Sequence, residues 1–313
     1  MARILTVTMN PAVDVFTTTQ QVRPTHKLRC TDARRHPGGG GINVARVLHR
    51  LGAATLALYP AGGATGHELH RLLRDEQLPH HAMVIAGETR TSFTAHEACS
   101  GQDYRFVLPG PRLAETEWQA CLAWLAAQRP APVWLVASGS LPPGVPDDFH
   151  ARLARLAQTQ GSRLVLDSSG PALAAALAQG VDLVKPSLRE LRDLTGLPLL
   201  TRAEQLAAAR GLVTRGQARR VALSLGDQGA LLVTAGTAHF APALPVPVAS
   251  TIGAGDSFLA GLLWALDRGD GPDTALRYGM AAGAAALLSA GSALSQATDV
   301  QRLFHEACAR PAD

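Results

Sequence analysis

Short apolar, β-branched runs alternate with longer Ala- and Leu-rich stretches along most of this sequence, and that rhythm limits the possible folds more than any other feature. Runs at 4–8, 55–59, 133–137, 163–166, 183–184 and 221–224 read as strands. Stretches at 42–51, 66–75, 115–128, 146–160, 203–215, 255–267 and 274–289 carry helical patterning. Strands that alternate with helices build a mainly parallel sheet covered by helices on both faces. The expected fold class is α/β, a three-layer sandwich. Two stretches, 15–35 and 81–108, break the rhythm with strands and turns but no helix. Within the second, 91–96 and 103–107 read as a hairpin around Ser100-Gly101. Together the insertions predict a small second sheet, either a lid over a cleft or a pairing surface for a second copy of the chain.

The chain has 313 residues, of which 47% are apolar and 17% charged, enough for a large core. The expectation is one domain over 1–313. No apolar run reaches the length of a membrane span, and the first residues read as a strand rather than a signal peptide. Cys30, Cys99, Cys121 and Cys308 are scattered, with no Cys-x-x-Cys pair to suggest zinc or a disulfide framework. A soluble protein in a reducing cytoplasm is expected. The net charge of +4 is small, and no basic block suggests a nucleic-acid partner. Lys27 and Lys185 are the only lysines among 29 basic residues. A retained lysine suits a site that needs a compact ammonium rather than a planar guanidinium; chance retention explains it equally well.

Ligands of such a sheet bind beyond the carboxyl ends of its strands. Five predicted strands end in small, polar or charged segments: Asn10 to Asp14, Ser138-Gly139-Ser140, Asp167 to Gly170, Lys185 to Glu190, and Ser224 to Gly229. Four glycines, 38–41, precede a helix bearing Asn43. Such glycines turn backbone N–H groups towards an anion at a helix N-terminus, or they form a flexible or closely packed loop. Gly253-Ala254-Gly255 enters another helix with Asp256 in its first turn. There Asp256 is a base beside an anion hole or a helix-capping carboxylate. Ser224 to Gly229 suits either a phosphate tail or a tight turn. Arg90 and Arg105 flank the hairpin, to clamp a phosphate or to lie in solvent. His80-His81 reads as structural. The sequence has neither a P-loop nor a dinucleotide-binding glycine fingerprint.

In combination these segments resemble the ribokinase-like, PfkB-type carbohydrate kinases. Residues 38–46 (Gly-Gly-Gly-Gly-Ile-Asn-Val-Ala-Arg) are similar to the family's N-terminal signature and 250–258 (Ser-Thr-Ile-Gly-Ala-Gly-Asp-Ser-Phe) to its C-terminal one. Segments 10–14, 27–30, 60–66, 104–106, 138–144 and 224–226 follow the same order. The resemblance covers nearly the whole chain and implies a Rossmann-type fold with a β-sheet lid. Within the phosphosugar branch, kinases of fructose 1-phosphate and tagatose 6-phosphate usually carry Lys where this chain has Gly40. The all-glycine run and Lys27-Leu-Arg-Cys30 favour fructose 6-phosphate as the substrate, phosphorylated at its C1 hydroxyl.

The resemblance implies a role for each site residue. Asp256 would be the base and Gly253, Ala254 and Gly255 the anion hole. Asp14, Gly39 and Asn43 would bind sugar hydroxyls. Arg90, Arg105 and Ser140 would hold the sugar phosphate, with Lys27 reaching in from a neighbouring subunit. Lys185, Ser187, Ser224, Gly226 and Gly229 would line the ATP site. Glu190 would place Mg2+ through water. Ser250, Ile252, Ala286, Ser289 and Gly291 would surround K+. The inserted strands would form a homodimer. Ser187 replaces the Asn of the family's Asn-x-x-Glu pattern, and Ser289 and Ala293 stand where the 6-phosphofructokinase members carry Asn and Arg, so both the nucleotide and the cation site depart from the pattern. The alternatives are a kinase of fructose 1-phosphate or tagatose 6-phosphate, a kinase of an unphosphorylated sugar, and a non-catalytic sugar-phosphate sensor.

Overall fold

The structure, a computed structural model, describes residues 2–31 and 33–309. Nine strands form the main sheet: β1 (Ile4–Val7), β4 (Thr55–Ala61), β5 (His80–Val84), β8 (Trp134–Ser138), β9 (Arg163–Asp167), β10 (Val181–Val184), β11 (Ala218–Ser224), β12 (Ala230–Thr234) and β13 (Ala238–Ala241). Their spatial order is β13-β12-β11-β10-β9-β8-β1-β4-β5. Pairing is parallel from β5 through to β11 and antiparallel at β11–β12 and β12–β13. The central strands are buried on both faces, as parallel strands under helices must be; β1 and β8 have no exposed residue.

Ten helices are described: α1 (Gly40–Arg50), α2 (Gly63–Asp75), α3 (Glu115–Ala126), α4 (Phe149–Gln160), α5 (Gly170–Gln179), α6 (Leu188–Thr195), α7 (Arg202–Thr214), α8 (Ala254–Arg268), α9 (Pro272–Leu287) and α10 (Ala297–Ala309). Apolar residues of α3 to α7 pack on one face of the sheet. Those of α1, α8, α9 and α10 pack on the other. This is the three-layer sandwich expected from the sequence. Helices α5, α6 and α10 and strands β12 and β13 fall outside the predicted elements. Helix α1 begins at Gly40 rather than 42, inside the glycine run.

The second sheet has the order β3-β2-β6-β7, from β2 (Ala12–Thr19), β3 (Arg34–Gly38), β6 (Arg90–Glu97) and β7 (Gln102–Val107). The hairpin around Ser100-Gly101 is β6–β7. His80 and His81 belong instead to β5, the edge of the main sheet. One face of the small sheet carries Asp14, Ser92 and Arg105 towards the main body. Farther along that face Phe16 packs on Gly291, and Asp103 accepts hydrogen bonds from His96 Nδ1 at 2.8 Å and Ser250 Oγ at 3.4 Å. The opposite face exposes Phe93 and Phe106.

Candidate active site

The winding of the main sheet reverses between β1 and β8, because β4 and β5 lie to one side of β1 and β8 to β11 to the other. The crevice beyond the carboxyl ends of adjacent strands at such a reversal is the expected ligand site. Asn10 follows β1 there, and Ser138, Asp167, Lys185 and Ser224 end or follow β8, β9, β10 and β11. The five polar segments singled out in the sequence therefore share one rim.

A polar cavity of about 260 Å³ opens on this rim under the small sheet. Asp14, Gly39, Asn43, Arg90, Arg105, Ser140, Glu190 and Asp256 all contribute to its wall. Glycines allow the wall to close: a Cβ on Gly40 would collide with Ser138 Oγ, and Gly39 has φ +111°. Arg90 is fixed by its own backbone neighbours, Nη2 donating to the Asn10 carbonyl at 2.8 Å and Nη1 to that of Leu108 at 3.0 Å. Its buried Nε has no partner among the described residues. Asn10 Nδ2 donates to Ser140 Oγ at 3.2 Å.

Asp256 lies in the first turn of α8, where amide N–H groups lack helical acceptors. Asn43 Nδ2 donates to Asp256 Oδ2 at 2.8 Å, across 213 residues of sequence. Burial pushes the Asp256 carboxyl up to about 7; Asp167 and Asp14 add to the rise, and Asn43 and Lys185 oppose it. Burial also raises Asp14, against the pull of Arg105, Arg46 and Arg90. Lys185 Nζ sits 3.1 Å from Asp167 Oδ1. Burial disfavours this ammonium, but Asp167, Asp256 and Glu190 outweigh that and hold its pKa above the ordinary value. Asp167 also accepts from Ser138 Oγ at 3.3 Å.

A second, mostly apolar cleft of about 610 Å³ borders Ala254 and Gly255, next to Asp256 of the cavity wall, at the start of α8. Ser224, Gly226 and Gly229 border it with Ala254 and Gly255, and Leu244, Val246, Ala284 and Leu287 form apolar wall. The 226–228 segment is a single 3-10 turn, so the tight-turn reading and the ligand-rim reading both describe it. Two residues grouped with the nucleotide do not line this cleft, although Lys185 Nζ lies 3.6 Å from where a Cβ on Gly255 would stand. Lys185 is buried against Asp167 rather than on the cleft wall. The Ser187 hydroxyl caps α6: its Oγ accepts from the Glu190 N–H at 3.2 Å, while Glu190 Oε2 accepts from the Ser187 N–H at 2.8 Å.

Gly253 precedes α8 with φ +76° and borders neither space. The Ala254 N–H reaches the Thr251 carbonyl at 3.4 Å. Segments 249–252 and 286–291 lie side by side, with the Ala249 N–H donating to the Leu287 carbonyl at 2.7 Å. Ser289 Oγ donates to the Leu294 carbonyl at 3.0 Å. Lys27 is exposed and borders neither space in its own subunit. Among the described residues, no group of three or more His, Cys, Asp or Glu side chains could hold a metal ion.

Sequence reasoning put Asp167 on the rim without a role, and it missed Arg46, Arg50 and Glu76 altogether. The spacing of Asn43, Arg46 and Arg50, which sets them along one side of α1, was the available signal.

A buried carboxylate at a helix N-terminus, beside a polar cavity that carries both arginines and carboxylates and an apolar cleft on an α/β switch point, fits a phosphotransferase of small hydroxylated molecules. Residues 7–299 match the pfkB family carbohydrate kinase model, and the chain belongs to that family. It is 47% identical over 311 residues to the ATP-dependent 6-phosphofructokinase isozyme 2 of Mycobacterium tuberculosis, covering 99% of this chain and 91% of that one. Identity to the Escherichia coli protein of the same name is 42% over 305 residues, or 97% and 98% of the two chains. The crystal structure of Escherichia coli phosphofructokinase-2 in complex with fructose-6-phosphate superposes with a TM-score of 0.93 at 41% identity, covering 98% of this chain and 100% of that one.

Proposed function

We propose that this kinase transfers the γ-phosphoryl group of ATP to the C1 hydroxyl of fructose 6-phosphate, giving fructose 1,6-bisphosphate and ADP. The observation that carries the reading is Asp256, a buried carboxylate with a pKa of about 7 on the cavity wall, one residue along α8 from Gly255 of the apolar cleft. A carboxylate poised there takes the proton of an attacking hydroxyl near neutral pH. As the C1 oxygen bonds to the γ-phosphorus and the bond to ADP breaks, charge collects beside the first-turn amides of α8, with Gly253, Ala254 and Gly255 shaping the hole. Asp14, Gly39 and Asn43 bind the sugar hydroxyls. Arg90, Arg105 and Ser140 hold its phosphate, and the unpartnered Arg90 Nε is suited to an oxyanion. The names of the relatives support fructose 6-phosphate, as does Gly40, which has no room for a side chain.

The adenine lies in the apolar cleft, and Ser224, Gly226 and Gly229 contact the phosphate tail. Mg2+ supplies charge neutralisation on the transferring phosphates, held mostly by those phosphates and water. That fits a site whose protein carboxylate, Glu190, has one oxygen engaged by Ser187 and one left for a metal-bound water. The adjoining segments that carry Ser250, Ile252, Ala286, Ser289 and Gly291 offer backbone oxygens for K+. The small sheet closes over the sugar and pairs with a second copy through Phe93 and Phe106, bringing Lys27 to the partner's cavity. Four free thiols suit a reducing cytoplasm.

The test is ATP consumption with Mg2+ and K+ against fructose 6-phosphate, fructose 1-phosphate, tagatose 6-phosphate and fructose, with light scattering on the same samples. The highest kcat/KM for fructose 6-phosphate in a dimer is expected. Preference for another phosphosugar moves the substrate and keeps the mechanism. Preference for free fructose, or no turnover, refutes the phosphosugar reading, and an active monomer refutes the assembly.

A further inference from the structure

Helix α1 presents Asn43, Arg46 and Arg50 along one side, and only Asn43 reaches the cavity. Arg46 is 1% exposed and borders neither the cavity nor the cleft. A guanidinium buried so far from a ligand is costly unless every nitrogen is engaged, and all three are. Nε donates to Glu76 Oε1 and Oε2 at 3.0 and 2.9 Å, and Nη2 to Oε1 at 2.6 Å. Nη1 donates to the carbonyls of Pro37 at 3.0 Å and Ser292 at 3.1 Å and faces Asn43 Oδ1 at 3.4 Å. Arg50 Nη2 joins Glu76 Oε2 at 3.2 Å, and its Nη1 donates to the carbonyls of Ala293 at 2.7 Å and Ser295 at 3.2 Å.

We infer that Arg46, braced by Glu76 and Arg50, is a positioning residue for both halves of the catalytic centre, orienting the Asn43 amide towards Asp256 and fixing the 292–295 loop behind the Gly253 turn. The first half follows from donor and acceptor chemistry. A cation beside Asn43 Oδ1 excludes the flipped amide, so Nδ2 must face Asp256. The second half follows from packing. Leu294, with φ +63°, is a non-glycine residue held in the left-handed region between carbonyls that the two arginines grip. Its Cδ2 fills the space a Cβ on Gly253 would need. The loop is thereby the backstop of the anion-hole turn, and Ser289 Oγ ties it once more at the Leu294 carbonyl.

The inference rests on Asp256 being the base. The charged groups that face Asp256 are Asp167, Lys185 and Asp14, and across the cavity Arg90, Arg105 and Glu190. Arg46 itself acts on Asp14. Glu76→Gln keeps the Arg46 charge while weakening its brace, so a change in its pH profile reports the Asn43 amide rather than Asp14. The double variant Arg46→Met/Glu76→Leu replaces the pair by apolar bulk, an exchange that buried ion pairs often tolerate. Arg46→Lys keeps the charge without the planar fork.

The experiment measures kcat and KM for sugar phosphate and ATP against pH, with melting temperature, in these three variants and in Asp256→Asn. The folded double variant is expected to lose about tenfold in kcat at pH 7, with the acid limb moved up by about one unit as the amide donor is lost. Its KM for ATP should stay within about twofold, since Arg46 does not touch the cleft. Glu76→Gln should move the limb the same way by less, and Arg46→Lys should fall between it and the double variant. An inactive Asp256→Asn beside folded variants with the wild-type limb and kcat would overturn the inference alone. Turnover retained by Asp256→Asn would remove the base and the inference together.

Discussion

The cavity under the small sheet and the cleft beside α9 share the first turn of α8 but are built from different material. The cavity holds Asp14, Asp256 and Arg90 on its wall, with the Asp167–Lys185 pair beside them, so desolvated charges set its properties. The cleft is lined by Ala243, Leu244, Val246, Ala284 and Leu287, and small side chains set its shape. A hydroxyl that must lose a proton needs the first kind of surroundings, where pKa values move far from their ordinary positions. An aromatic base held by its faces needs only the second. The two regions should therefore fail differently, the cavity through charge and pH and the cleft through volume.

The largest effect should come from Asp256→Asn, with kcat lower by at least about 10²–10⁴ and ATP still bound, as tested by single-turnover kinetics and equilibrium binding. In the wild type, protonation of a base with a pKa of about 7 should cost activity steadily below neutral pH. Stability should move in the opposite direction. The unfolded carboxyl titrates near its ordinary value of 3.8 and the folded one near 7, so the folded state binds the extra proton between them. Wild-type stability therefore falls as pH rises through that window and stays lower above it. Asp256→Asn should raise the melting temperature at pH 8 and lose that advantage below about pH 4. An Asn variant that melts earlier than wild type at pH 8 would mean the carboxylate stabilises the fold, and the contrast between the regions would collapse.

The cleft should respond to bulk instead. Ala284, buried on α9, faces the proposed adenine site. Ala284→Leu adds three carbons to the apolar wall of α9, apart from the 226–228 turn that brings Asp227 to the cleft. KM for ATP is expected to rise about tenfold, while the sugar-phosphate KM and the acid limb stay where they are. A shifted acid limb would show that the cleft wall also sets the environment of Asp256.

This division also decided what could be read from sequence. Glycine positions and the Asp256 turn were legible because their geometry is local: four glycines before a helix, and Gly-x-Gly-Asp at another. The strands ending at Ser138, Asp167 and Lys185 were legible through their apolar runs. The partnerships were not. Asn43 meets Asp256, and Asn10 meets Ser140 across 130 residues, because the switch point brings β1 and β8 together. No local pattern encodes that meeting. Lys185 was noticed as a rare lysine, but nothing local announced the Asp167 carboxylate at the neighbouring strand end. Helices α5 and α6 are short, of 10 and 8 residues, and their polar starts read as loop. The glycines at 40 and 41 hid the first turn of α1, since glycine is a poor helix former that only tertiary packing can hold in place.

The smallest effect concerns Ser187, where the resemblance and the geometry disagree. The resemblance implies an Asn at this position, in an Asn-x-x-Glu pattern. Here a hydroxyl closes a reciprocal capping box with Glu190 and is committed to the helix. Ser187→Ala should then cost about 1 kcal/mol of stability and leave KM for ATP within about twofold. Ser187→Asn should recover most of that stability, since Asn caps as well as Ser. Denaturant unfolding of the three proteins, with ATP titrations alongside, separates the possibilities. If Ser187→Ala keeps its stability but loses ATP affinity tenfold, the hydroxyl belongs to the nucleotide, and the polar side of the site extends into the cleft. If Ser187→Asn also changes the Mg2+ requirement, the capped Glu190 is the link, because its second oxygen is held in place by the bond its first makes to the backbone of residue 187.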